Sequence, residues 1–163
     1  MPADRLSESE SATLGTLPQT VLCGGVRLYR SSASGKARLA RRMVLWASRH
    51  RAVALGNHIF LPDRQERDLA ILAHELTHCG QFQEWGPFRY FATGLLTQMQ
   101  DLLHRWTGIG NSPYRYTVTP AKPFRAYGME QQGQIVEDSF RGDPAALSIS
   151  PHRPADNYTI PSA

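Results

Sequence analysis

The sequence predicts a small α+β domain, a short twisted sheet with helices packed around it. Three observations carry this expectation. Two short apolar runs, 52–55 and 58–61, flank Gly56-Asn57, a pair that tolerates the positive φ of a tight hairpin turn. A further apolar, β-branched run from Val21 to Tyr29 reads as another strand. Elsewhere apolar residues recur at steps of three and four, the period of helices that bury one face.

Taken in order, residues 1–20 form a polar, Ser/Thr-rich N-terminal segment with a short helix starting at Ser7, where Glu8 and Glu10 suit a first turn. In the strand that follows, interrupted by Gly24-Gly25, Val26, Leu28 and Arg30 share one face. Residues 35–49 read as a helix whose inner face is Leu39, Met43 and Trp46. After the hairpin, Pro62 ends the second strand. Asp63, with Glu66 three residues later, suggests a capped helix from about Arg64 to Gln83, its core stripe Leu69, Leu72, Leu76 and Cys79. Gly86-Pro87 stops it. A second amphipathic stretch from Phe88 to Trp106 has Leu95, Leu96, Met99, Leu102 and Leu103 inward. Residues 114–126 are extended, and a last helix covers about 128–141. The tail, 142–163, holds four prolines and few large apolar residues, which predicts a loose extension. The domain is therefore expected over 21–141.

Composition narrows the function classes. The 163 residues suit one domain, and 41% hydrophobic content is enough for one core. A net charge of +4 does not point to nucleic acid, and the arginines of 38–51 read as a solvated helix face. No run reaches the roughly 18 apolar residues of a membrane helix, and Met1 to Leu14 lacks the apolar core of a signal peptide. The expectation is a protein made in the cytoplasm that leaves, if it leaves, without a cleaved signal. Cys23 and Cys79 are too few for a disulfide framework, and Cys79 reads as a buried free thiol.

The chemistry lies in His74-Glu75-Leu76-Thr77-His78. Histidines four apart on a helix are turned by about 400°, so both imidazoles leave from nearly one face and can share one zinc ion. The glutamate after the first histidine is the general base for the water that zinc activates. Composition alone would give this pattern about 0.01 times in such a chain. Zinc needs a third protein ligand. A histidine six residues beyond His78 would serve, but Glu84 stands there and Gln81 stands where a glycine would be required. A glutamate on a later helix is the other solution, and Glu130 is the candidate. Gln134, one turn further, is the candidate to orient a histidine ligand. His58, on a hairpin strand, is a candidate for the rim at which an extended peptide pairs with a strand edge.

The runs 54–61 and 72–81 resemble the metallopeptidase domain found in toxins of extracellular contractile injection systems. Residues 123–136 resemble a narrower group, small Vgr-related proteins named after the spike of type VI secretion. The resemblance spans about 26–141 and implies a minimal gluzincin-like core. It also implies Zn2+ held by His74, His78 and Glu130, and export through such an apparatus with its spike components as partners. The expected reaction is hydrolysis of amide bonds in a peptide or protein. Two alternatives stay open: an accessory or cargo module with a structural zinc, and a cell-wall amide hydrolase. Gly133 stands where the resemblance leads one to expect alanine.

Overall fold

A computed structural model describes residues 3–14, 17–108, 112–119 and 121–150. It shows a three-stranded sheet and five α-helices, the small α+β fold the sequence predicts. The helices are α1 (Glu8–Leu14), α2 (Gly35–Ala47), α3 (Leu69–Thr107), α4 (Met129–Phe140) and α5 (Pro144–Ile149). The strands are β1 (Arg27–Tyr29), β2 (Val53–Leu55) and β3 (His58–Phe60).

The strand order is β1-β3-β2, so β3 is central. β1 runs parallel to β3, and β2 antiparallel to it across a turn in which Gly56 has φ 64°. Left-handed backbone at that corner suits the residue that lacks a Cβ. Asp4 exchanges two 2.8 Å backbone hydrogen bonds with Leu28 and so covers the outer edge of β1. Val26, Leu28, Ala54 and Ile59 face a core completed by Leu72, Leu76 and Cys79 of α3 and by Ile135, Val136 and Phe140 of α4. Each fully buried aliphatic side chain in such a core contributes about 1.5–3 kcal/mol. Leu14 joins the same core, which ties the N-terminal segment to the sheet.

The main helix starts later than the sequence suggests. Asp63 and Glu66 are drawn off as partners of Arg41, and Glu66 also accepts from the Ser31 hydroxyl at 2.8 Å. The cap is Asp68 instead, whose carboxylate accepts from the Ala70 and Ile71 amides at 3.0 and 3.2 Å. Gly86 breaks α3 at φ 75°, ψ 168°, where Gly86-Pro87 predicts a stop, and a second arm continues over 87–107.

Two predicted inner faces point outward. Leu39, Met43 and Trp46 of α2 are 60%, 63% and 79% exposed, while Leu45 is buried. The Arg41 guanidinium sets this rotation by donating to the Leu61 carbonyl at 2.7 and 3.0 Å and to Asp63 and Glu66. Leu95, Leu96, Met99, Leu102 and Leu103 are likewise exposed; Tyr90 and Asp101 are the buried residues of that arm.

The predicted loose tail is also corrected in part. Asp143 caps α5 by accepting from the Ala145 and Ala146 amides at 2.7 and 3.0 Å, and Ala146 is buried where α5 packs on α4. Residues 151–163 lie outside the described residues.

Candidate metal centre

The first arm of α3 is held in rotation by its apolar stripe. With Leu72, Leu76 and Cys79 locked into the core, His74 and His78 turn toward α4. Their rings lie 5.0 Å apart, and their Nε2 atoms 3.2 Å apart. Glu130 stands in the first turn of α4, which the Gln131 side chain steadies by accepting from the Gly128 amide at 3.0 Å. Glu130 Oε2 is 3.5 Å from His78 Nε2 and 3.9 Å from His74 Nε2. Among the described residues these three form a group whose ligand atoms all lie within 4.8 Å of one another. Donors on a tetrahedral zinc with bonds of about 2.1 Å are about 3.4 Å apart. The three separations bracket that value.

The outer nitrogens decide which way the lone pairs face. His74 Nδ1 lies 3.1 Å from Glu137 Oε2, a carboxylate that only accepts, so this nitrogen carries the proton. His78 Nδ1 lies 2.8 Å from Gln81 Oε1. The Gln81 amide nitrogen donates to the Met129 carbonyl at 3.1 Å and to Gln132 Oε1 at 3.0 Å, and Gln132 in turn donates to the Tyr127 carbonyl at 2.8 Å. This buried chain fixes the Gln81 oxygen as an acceptor, and His78 Nδ1 is again the donor. In the neutral form that ligates a metal, both imidazoles aim an Nε2 lone pair at the other and at Glu130. Three acceptors then converge on one point, and a positive charge, proton or metal ion, is what such a set accommodates.

The charges agree with this. Burial opposes a positive charge on His74, but Glu130 and Glu137 outweigh it and push its pKa up to about 10. Burial likewise opposes a charge on His78, and Glu130 again prevails, raising its pKa. Burial would raise the Glu130 pKa, yet the two histidines hold it well below the usual carboxylate range. Positive charge is favoured at this point, whether proton or metal.

Glu75 is buried, and burial raises its pKa while the neighbouring histidines pull it down. The backbone at Ala54 of β2 also pulls it down. The Ala54 carbonyl accepts from the Tyr90 hydroxyl at 3.0 Å. His74, Glu75, His78 and Glu130 line a cleft of about 1030 Å³ walled by β2 on one side and by Tyr90, Phe91 and Leu95 of the second α3 arm on the other.

Other candidates lie elsewhere. Gln134 lines the cleft, but its amide donates to Asp138 at 2.8 Å instead of orienting a histidine. Glu137, which sequence reasoning missed, holds His74, and Gln81 holds His78. Glu84 pairs with Arg125 at 3.0 Å on the surface. His58 is exposed at the start of the central strand, 3.1 Å from the Tyr29 hydroxyl, so the strand beside the cleft is β2 and not β3.

Against known families, the model of the eCIS core domain, the core domain of extracellular contractile injection systems, matches residues 24–86. The match takes in the sheet, α2 and the first arm of α3 with His74, Glu75 and His78; Glu130 and Glu137 lie beyond it. Comparison with curated proteins and with solved structures gave no match.

Proposed function

We propose that this chain is a zinc-dependent metallopeptidase that works with an extracellular contractile injection system. The observation that carries the metal is the convergence of His74 Nε2, His78 Nε2 and a Glu130 oxygen with both outer nitrogens already committed as donors. The link to an injection system rests on the family match over 24–86.

Zinc bound there supplies a Lewis acid for an amide carbonyl and for water. The chain's own residues do the rest. Glu137 and Gln81 keep the imidazoles in the ligating tautomer. Glu75 accepts a proton from the attacking water and passes it to the leaving amine, a role that suits a carboxylate whose pKa burial has raised. The cleft receives the peptide along β2. The protein is made in the cytoplasm and exported by the injection apparatus, with spike components, such as those of the Vgr type, as partners.

A second reading has support of its own. The Ala54 carbonyl, on the strand edge beside the cleft, is already taken by Tyr90. An accessory or cargo module in which zinc only joins α3 to α4 would have no use for a free edge. The buried Glu75 beside the ligands favours the enzyme. A peptide-library digest with zinc-loaded wild type and Glu75→Gln, with a cell-wall fragment arm, decides between them. Cleavage by wild type alone supports the peptidase or the cell-wall amidase, according to the arm. Cleavage in neither arm by either protein supports the module.

A further inference from the structure

The second arm of α3 is turned inside out. Phe88, Ala92, Leu95, Met99, Leu102 and Trp106 follow one another at steps of four, three, four, three and four, and all six are exposed. That 3.5-residue period is the seam of a coiled coil. Phe91, Leu96 and Leu103 widen the seam, and the eight large side chains are 50% to 88% exposed. The opposite face, Tyr90, Gly94, Thr97, Asp101 and His104, is the one turned to the body of the protein. Tyr90 and Asp101 are buried there, and the other three are half-buried. Leu95, Leu102 and Trp106 also border the cleft, so the seam runs along its outer rim, and a helix with a polar, small-residue face inward and such a seam exposed presents it to another helix.

We infer that the second arm of α3 pairs with the same arm of a second copy, forming a homodimer through the 88–106 seam. Three features favour a copy of this chain. The flanking positions beside the seam are Arg89, Phe91, Leu96, Gln98, Leu103 and Arg105, with two charges at opposite ends of the arm, so no continuous row of like charges opposes self-pairing and no alternating charge code selects a foreign helix. Arg105 is bound to Asp101 at 2.7 Å, and Arg89 stacks over the Trp85 ring at 5.0 Å. The size also fits: eight such side chains at on the order of 100 Å² each offer roughly 800 Å² per copy, the area of a stable interface. A lipid surface fits less well, because an interfacial helix carries rows of Lys and Arg beside its apolar face, and here only Arg89 and Arg105 stand there.

Sedimentation equilibrium of the full chain tests this, with Met99→Lys/Leu103→Lys as the variant. Both side chains are exposed and neither lines the cleft, so the fold should survive, which circular dichroism and the melting temperature check. The wild type should be a dimer at about 100 µM, with the variant at least about tenfold weaker. A monomeric wild type at that concentration overturns the proposal whatever the variant does. A dimer that the variant leaves unchanged overturns it too.

Discussion

Gly133 of α4 lies directly under the imidazole of His74: a Cβ at position 133 would sit 2.8 Å from His74 Nε2 and 2.9 Å from Cε1. No real Cβ comes that close, so an alanine here must displace the ring. The same substitution raises helix propensity by up to about 1 kcal/mol. Gly133→Ala therefore predicts opposite signs: a melting temperature that holds or rises, and zinc affinity that falls about tenfold or more, read by competitive titration with a chelating dye. Unchanged affinity would mean the His74 ring does not need its present position.

Glu137 and Gln134 separate two accounts of how His74 is oriented. Glu137→Gln removes the carboxylate from His74 Nδ1 and should weaken zinc binding by about 10–100-fold. Gln134→Ala removes a bond to Asp138 and should change zinc affinity less than about twofold, within the scatter of a peripheral substitution. The reverse pattern would restore the orienting role to Gln134.

Tyr90→Phe frees the Ala54 carbonyl. If a peptide pairs with β2, its KM should fall several-fold at unchanged kcat, while stability drops by about 1 kcal/mol for the lost hydrogen bond. A KM that stays put indicates that the substrate does not use that carbonyl.

The two thiols should differ. Cys79 is fully buried, and burial pushes its pKa far up; Cys23 is half-buried with a smaller upward push from the same cause. With a chromogenic disulfide reagent at neutral pH, one thiol per chain should react slowly in the native protein and two in guanidinium. Two fast thiols in the native state would show that the core around α3 opens readily.

What could be read in the sequence was local. The His-Glu-x-x-His spacing, the Gly56-Asn57 turn and the break at Gly86 each depend on a few neighbouring residues, and each has its expected local geometry. Glu130 was reachable because a zinc site lacks something without a third ligand. Glu137 was not, since its partner His74 is 63 residues away and nothing in the α4 pattern separates it from Gln134. Periodicity located the apolar faces of α2 and of the 87–107 arm but not their direction. Arg41, an ordinary helix residue in the sequence, turned α2 by binding the Leu61 carbonyl. In the second arm, the Tyr90 bond to Ala54 fixed the opposite face inward. Gln81 was legible as the end of the run that carries the resemblance and as a residue that is not glycine, but its role was not, because that depends on Gln132 and Met129 of a distant helix.

The central claim is a single cation held between α3 and α4 by His74, His78 and Glu130. Its most direct test is metal analysis of the purified protein after dialysis and again after added zinc, with His74→Ala and Glu130→Ala beside the wild type. The account predicts about one zinc per wild-type chain, none retained by His74→Ala, and at least about a tenfold weaker site in Glu130→Ala. A wild type that is metal-free and also refuses added zinc would contradict it.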